Sequence, residues 1–332
     1  MNILNDCRVV FMVQKQTVSQ FELASKQRDS TPGFSYSSRN RLMSGIILVV
    51  DNNFIYSPPS DGKPFRLSLG LRELQVENWI EGGSDLLDQL RQRNELLDTK
   101  REVVFQSVSG YELPTEYFAS LLKENLAMFH SDYHVDRNHI VHIPSGYEVD
   151  IGSDHPFVQI ARVICEDLAL LVKDGNTWKL IAGVIIFPSR WNLLEKVGKD
   201  IDAIHSPLPG YAASLAPYMV ETFNKISPDR PVWRRNWSLH CSDVLHEPTY
   251  TPLESAVEDY WWRTERQTLT KSLDGEFLLF TIRNRTEPLK WIKGDPEASL
   301  QFARTLESLT PEMLEYKRIT AQRELLLSFL RS

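Results

Sequence analysis

One histidine in this sequence has the setting of a metal ligand. His205 follows the apolar residue Ile204, and Pro207 and Pro209 come shortly after it. Proline fixes its own φ and cannot extend a helix, so the backbone beyond the histidine is stiff. A single imidazole on a stiff segment beside apolar residues is what an axial ligand of haem iron requires. A buried histidine that bonds to a backbone carbonyl is the commoner case for this residue type, and that alternative stays open.

A second group of reactive side chains alternates with other residues along 261–269. On a β-strand this spacing puts Arg263, Glu265 and Gln267 on one face, because successive side chains point to opposite sides. The apolar run 277–282 looks like a neighbouring central strand, so the charges beside it must be paired or must face a polar ligand. An edge strand with solvated charges is the competing interpretation.

Four histidines, His130, His134, His139 and His142, fall within thirteen residues of one another. The first two have helical i, i+4 spacing, and imidazoles this close could bind zinc. The stretch is polar and contains no cysteine. Ordinary hydrogen-bonding or solvated histidines are therefore the favoured interpretation.

Composition and missing motifs exclude several classes of protein. The 332 residues are 42% hydrophobic and 24% charged, as in a chain with a folded core, and the net charge of −7 argues against a dedicated nucleic-acid binder. The three cysteines are far apart, so this chain alone is not expected to hold an iron–sulfur cluster. No glycine-rich nucleotide loop or serine-nucleophile elbow is present. No apolar run approaches the roughly 20 residues of a membrane span. With no convincing signal peptide, we expect a cytoplasmic protein.

The elements that must position these residues follow from apolar spacing and turn residues. Two Asp-Gly pairs, Asp174-Gly175 and Asp274-Gly275, each separate β-favouring runs and predict hairpins, because glycine can adopt a positive φ. Hairpins surrounded by helices indicate an α+β fold with a largely antiparallel sheet. Residues 1–45 are expected to be a poorly ordered extension of a single domain at 46–332. Helical spacing predicts helices at 83–98, 114–129, 211–223 and 311–330.

The motifs around these residues resemble a known family. It is the catalytic α subunit of haem-dependent oxidative N-demethylase (dimethylamine monooxygenase), with its uncharacterised bacterial and fungal relatives. The resemblance runs from about residue 50 to 320 in the family's order, and Leu208 departs from it where valine is expected. The matching stretches are Pro64–Arg72 with Trp79, Glu166–Leu168, Phe187–Trp191, Lys196–Gly198, Ile204–Tyr211, Arg235–Trp237, Arg263–Leu269 and Phe280–Arg283.

This resemblance implies a PAS-like haem-binding fold that demethylates a small secondary amine, such as dimethylamine, with O2 and an external reductant, releasing formaldehyde. Haem b would be the cofactor of this chain, with His205, the histidine inside the motif, as its iron ligand. Flavin, iron–sulfur and folate chemistry would lie on partner subunits, including an electron-donating reductase.

The resemblance also suggests roles for the polar residues. Arg263, Glu265 and Gln267 become candidate catalytic residues of a distal pocket. Glu265 would hold the cationic amine, and Arg263 would stabilise negative charge on bound oxygen. The further candidates for contact with the cofactor are Tyr211, Arg235, Asn236 and Trp237.

Two other classes of function stay open. PAS-like folds often sense rather than catalyse, so a non-enzymatic haem sensor or carrier is the second hypothesis. A scaffolding subunit without a cofactor is the third. A carboxylate beside the iron-bound gas favours the enzyme, and an apolar distal pocket favours the sensor. A chain that shows no Soret band after haem supplementation would be the scaffold.

Overall fold

An antiparallel sheet of seven strands organises residues 69–332, the part of the chain that the computed structural model describes. A smaller antiparallel sheet contains three further strands. The predicted extension at 1–45 lies outside the described residues. In spatial order the large sheet consists of β1 (Arg72–Glu73), β8 (Val232–His240), β9 (Trp261–Lys271), β10 (Phe277–Pro288), β6 (Glu166–Asp174), β7 (Thr177–Val184) and β2 (Phe105–Ser107). The small sheet consists of β3 (Tyr133–Val135), β4 (His139–His142) and β5 (Tyr147–Asp150).

Both predicted hairpins are present in the large sheet. β6 turns into β7 and β9 turns into β10, with φ of 59° at Gly175 and 77° at Gly275. These positive values are the reason that glycine is needed at each turn. β9 pairs with β8 on one side and with β10 on the other. It is therefore a central strand, and the interpretation of its charges as those of a solvated edge strand is wrong.

Helices surround the large sheet, and the predicted α+β fold with a largely antiparallel sheet is confirmed. Two of the predicted helices are each divided into two shorter helices. The segment 211–223 is interrupted at Leu215, two residues before Pro217, and the segment 311–330 is interrupted at Arg318, whose φ of 59° no α-helix accommodates. The α-helices are α1 (Leu86–Thr99), α2 (Arg101–Val104), α3 (Glu112–Phe129), α4 (Pro156–Ala161), α5 (Ile201–His205), α6 (Tyr211–Ser214), α7 (Ala216–Lys225), α8 (Pro296–Ser308), α9 (Pro311–Tyr316) and α10 (Arg323–Arg331).

The two faces of the large sheet are covered by different elements. We call the side to which Arg263, Glu265, Gln267 and Leu269 of β9 project the odd face, and the opposite side the even face. The segment from α6 to α7 packs on the odd face, in a hydrophobic cluster that includes Leu269. The even face is covered by the N-terminal helices α1, α3 and α4 along β6, and by the C-terminal helices α8 to α10 around Trp262.

Candidate active site

The imidazole of His205 has a fixed orientation. Its Nδ1 lies 2.7 Å from the carbonyl oxygen of Ile201, one helical turn earlier in α5. A carbonyl can only accept, so Nδ1 carries the proton and Nε2 keeps a lone pair. Tyr211 stacks on the ring at a centroid separation of 5.5 Å, and its hydroxyl donates to Asp202 at 2.5 Å. Nε2 has no hydrogen-bond partner among the described residues, so it is available to a metal ion.

The charge state of His205 also suits a metal ligand. Burial lowers its pKa, and the nearby cations Arg234 and Lys196 act in the same direction, while the bond to Ile201 opposes them. The imidazole is therefore neutral at physiological pH, which is the form that binds metal ions. Tyr211 contributes by orienting the ring, through the stacking contact.

His205 and the polar row of β9 lie on the same side of the sheet. Tyr211, which stacks on His205, belongs to the hydrophobic cluster that contains Leu269. Leu269 shares its face with Gln267 and Glu265, because they alternate along one strand. The tertiary structure thus brings the candidate ligand and the candidate catalytic carboxylate to one face.

Glu265 is held with one oxygen occupied and the other free. Its Oε2 accepts hydrogen bonds from Gln267 Nε2 at 2.8 Å and from Asn236 Nδ2 at 3.3 Å. Its Oε1 has no hydrogen-bond partner among the described residues, although the residue is only 9% exposed. The carboxylate faces the positive charges of Arg263, Arg234 and Lys317, and Oε1 is left as an acceptor for a ligand that donates a hydrogen bond.

Arg263, by contrast, is bound into the fold. The side chain is fully buried, and Nη1 donates to the carbonyl oxygen of Leu245 at 2.8 Å. Nη2 donates to the carbonyl oxygen of Phe187 at 2.6 Å and to Asn284 Oδ1 at 2.9 Å. Three of its five N–H donors therefore tie two loops and β10 together. These contacts favour a structural role over the predicted role at bound oxygen.

Arg234 is a further cation of the odd face, and it was not among the site residues predicted from the sequence. It lies directly across from Gln267 in the register of β8 and β9. Burial lowers its pKa, and the negative charge of Glu265 opposes that shift. Its Nε is buried without a partner, and no hydrogen bond joins its guanidinium to another described residue. A half-buried guanidinium of this kind favours an anion, such as a haem propionate. The signal that could have identified it is its spacing of two residues from Asn236.

Two of the predicted cofactor contacts lie on the even face. Arg235 pairs in register with Arg266, and both line a pocket of about 560 Å³ together with Trp233. Trp237 stacks on Trp262 at a centroid separation of 5.1 Å, within the core formed by the C-terminal helices. The structure therefore separates Arg235 and Trp237 from His205 by the thickness of the sheet, because neighbouring residues on a strand point to opposite sides.

Lys317, just after α9, adds a titratable group beside Trp237, with Nζ 4.0 Å from the centroid of the indole ring. Its Nζ donates to the carbonyl oxygen of Trp237 at 2.9 Å. Burial lowers its pKa to about 8, the charge of Glu265 opposes this shift, and Arg234 and Arg190 reinforce it. Its distance along the chain from β8 and β9 left no sequence signal for this position.

The four clustered histidines do not converge on one point. Within 69–332 the only group of three potential ligand atoms that lie within 4.8 Å of one another belongs to His139, Glu148 and Asp150. His142 is instead hydrogen-bonded to Ser145 at 2.7 Å.

The site and the fold together define an α+β protein with an available imidazole and a fixed carboxylate on one face of its large antiparallel sheet. The family model described as haem-dependent oxidative N-demethylase, alpha subunit-like, matches residues 70–327, which is more than half of the chain. The chain therefore belongs to this family. The family's name points to haem-dependent oxidative demethylation and to a partner subunit. No helix within the described residues is long and apolar enough to cross a membrane.

Proposed function

We propose that this chain is the haem-binding, amine-demethylating subunit of a cytoplasmic monooxygenase whose electrons come from a partner reductase. The observation that carries the proposal is the placement of His205 and Glu265 on one face of the sheet, each with one side-chain atom that has no hydrogen-bond partner within residues 69–332. His205 offers Nε2 to iron, and Glu265 offers Oε1 to a cation.

The residues around His205 fit haem. A neutral imidazole whose Nδ1 proton is held by a backbone carbonyl is the arrangement expected of a histidine ligand. Arg234, half-buried and without a hydrogen-bond partner among the described residues, would pair with a propionate. Haem iron, once reduced by the external donor, supplies the binding and activation of O2.

The strand order supports the PAS-like part of the proposal. The five strands at the centre of the sheet are β6 to β10. Across the sheet they lie in the order β7, β6, β10, β9 and β8. Counted along the chain, these are the second, first, fifth, fourth and third of the five. PAS domains have this same antiparallel order.

The residues of the chain would bind and orient the amine. Glu265 attracts a small ammonium ion, and its low exposure strengthens that attraction because little water screens it. Asn236 and Gln267 hold Oε2, so Oε1 is the oxygen presented to the substrate. We take dimethylamine as the substrate to test. The partner would carry the flavin, the iron–sulfur cluster and the folate chemistry, for which this chain has no motifs.

Haem titration of three proteins tests this proposal. The parent chain is expected to develop the absorption spectrum of histidine-bound haem, and His205→Ala is expected to lose it while remaining folded. His134→Ala is the matched control, because that side chain is 67% exposed and lies on the small sheet. An unchanged spectrum in His205→Ala would show that the ligand is another residue, with His240 as the next candidate.

Amine binding tests the second part of the proposal, the role of Glu265. Dimethylamine should perturb the haem spectrum of the parent protein, and Glu265→Gln should bind haem equally well but require at least about tenfold more amine for the same change.

A haem sensor is the second candidate function, favoured by the PAS-type strand order. Formaldehyde release from dimethylamine under O2 and a surrogate reductant supports the enzyme, and bound haem without turnover supports the sensor.

A further inference from the structure

The exposed face of the small sheet carries three side chains that can bind a metal ion, and the proposed function uses none of them. In the register of β4 and β5, His139 lies opposite Asp150, and Val141 lies opposite Glu148. Directly paired residues, and residues two apart on one strand, project to the same side of a sheet. One ligand atom each from His139, Glu148 and Asp150 lies within 4.8 Å of the other two. The three side chains therefore converge on a common point.

The opposite face of the small sheet fixes these positions. Ile140 and Val149 are paired in the same register, are 1% and 5% exposed, and belong to the hydrophobic core that also contains residues of β6. A slip of one residue would expose these apolar side chains to water, so packing holds the register of β4 and β5. The side chains of His139 and Asp150 are 40% and 72% exposed, which leaves their ligand atoms open to an ion from solution.

The separation of the two paired ligands suits a tetrahedral zinc ion. His139 Nε2 and Asp150 Oδ1 are 3.2 Å apart. Zinc binds imidazole nitrogen and carboxylate oxygen at about 2.0–2.2 Å, so two ligand atoms of a tetrahedral centre are about 3.3–3.5 Å apart. A small rotation of either side chain therefore brings both atoms to bonding distance of one ion.

Asp136 decides which nitrogen of His139 is available to that ion. Its Oδ1 accepts hydrogen bonds from the backbone N–H groups of Asn138 at 2.7 Å and His139 at 2.8 Å, and it lies 3.5 Å from His139 Nδ1. A carboxylate on that side favours the proton at Nδ1 and leaves the lone pair at Nε2, the nitrogen beside Asp150. Histidines that bind zinc are commonly oriented by a carboxylate at the other ring nitrogen in this way.

The charge of this face favours a cation. Asp136, Glu148 and Asp150 place three carboxylates close together, and no lysine or arginine within residues 69–332 forms an ion pair with any of them. Like charges at short range repel one another, and a divalent cation between them removes that repulsion. The imidazole selects zinc over calcium and magnesium, because those two ions prefer oxygen ligands.

We propose that His139, Glu148 and Asp150 form a zinc site that joins β4 to β5. Three protein ligands leave a fourth tetrahedral position, which water would occupy. The unfolded chain does not hold the three ligands together, so zinc binds the folded state and stabilises it. The site lies on the small sheet and is independent of the proposed haem and amine contacts.

Calorimetric titration of the full-length chain with zinc chloride tests the proposal. The parent should bind zinc, and His139→Ala, Glu148→Gln and Asp150→Asn should each weaken binding by at least about tenfold. His134→Ala is the matched control, because His134 shares the exposed face but lies outside the convergent group. It should bind zinc within about twofold of the parent. His205→Ala should do so too, which separates this site from the proposed haem ligand.

Thermal unfolding of the same proteins gives a second measurement. The midpoint of the parent should rise with zinc concentration and that of Asp150→Asn should not, and calcium chloride should shift neither. A parent without zinc binding, or ligand variants that bind zinc as the parent does, would overturn the proposal. An equal loss in His134→Ala and His139→Ala would overturn the assigned ligand set, and an equal shift with calcium would overturn the role of the imidazole.

Discussion

The two faces of the central sheet both contain buried charge but differ in how completely that charge is paired. On the even face Arg283 is fully buried, and its guanidinium bonds to Gln89 and, at 2.9 Å, to Asp85. Arg266 donates to the carbonyl oxygen of Trp79 at 3.1 Å and forms an ion pair with Glu81 at 3.0 Å. These groups find their partners within the chain, so they attach the segment around 78–89 to the sheet.

On the odd face, pairing within the chain is incomplete. Among residues 69–332, one carboxylate oxygen of Glu265 and the buried Nε of Arg234 have no hydrogen-bond partner. Burial of an incompletely paired charge is costly, so it contributes nothing to stability by itself. The sheet therefore contains two kinds of charged side chain: those paired within the chain, which stabilise the fold, and those incompletely paired, which could bind a ligand. Arg263 shows that the division is by residue and not by face alone, because it is on the odd face and its Nη1 and Nη2 donate three hydrogen bonds within the chain, although its Nε has no partner among the described residues.

The largest effect is expected for Arg283→Met. Removing this guanidinium leaves Asp85 and Gln89 without their partner. Breaking a buried charged network costs about 3–5 kcal/mol of unfolding free energy. Urea unfolding measures this loss. A variant that unfolds at the parent's urea concentration would contradict the structural role of the even face.

Glu287 is an exception to the complete pairing of charges on the even face, and the pH dependence of stability tests this. Burial raises its pKa to about 7, although Arg285 opposes this shift, and its buried Oε2 has no partner in the described part of the chain. Between its usual pKa of 4.5 and about 7 the folded state binds more protons than the unfolded state, so this group lowers stability as pH rises through that window. We expect Glu287→Gln to stabilise the protein by about 2–3 kcal/mol at pH 8 and by almost nothing at pH 4. Urea unfolding at both pH values measures this, and equal effects at the two pH values would disprove it.

A smaller stability effect, of opposite sign to that at Arg283, is expected for Arg234→Met. Because Arg234 has no hydrogen bond to another described residue, its removal should leave the haem-free chain as stable as the parent or more stable by about 1 kcal/mol. Haem affinity should fall about tenfold, since a charged hydrogen bond to a propionate is lost. Thermal unfolding and haem transfer to an acceptor protein measure the two quantities. A destabilised haem-free chain with unchanged haem affinity would place Arg234 among the structural charges.

The smallest effect is expected for Arg235→Ala, which is also the control for Arg234→Met. Arg235 lies on the even face beside Trp233, at 5.4 Å from the ring centroid. Haem affinity should therefore match that of the parent within a factor of about two. A tenfold loss would mean that the cofactor reaches the even face.

The locally determined features were open to prediction from the sequence. Asp-Gly pairs predicted the two hairpins because a tight turn needs a positive φ, which Gly175 and Gly275 adopt. Alternation on a strand predicted the shared face of Glu265 and Gln267, which are joined by a hydrogen bond at 2.8 Å. The predicted helix at 311–330 was wrong because its interruption occurs at Arg318, a residue with no sequence signal for a left-handed conformation.

Other features depend on contacts between residues that are far apart in the chain. Arg263 is occupied by the carbonyl oxygens of Phe187 and Leu245, and a backbone carbonyl has no sequence signature. Arg234 and Arg235 are adjacent and identical in type, and only the packing of helices on one side of β8 decides which of them lies on the same face as His205. The sequence by itself determined the residue types, the turns and the alternation along each strand, because these are set within a few residues. Only the tertiary structure decided which charges are paired and which remain for a ligand, because their partners come from distant segments.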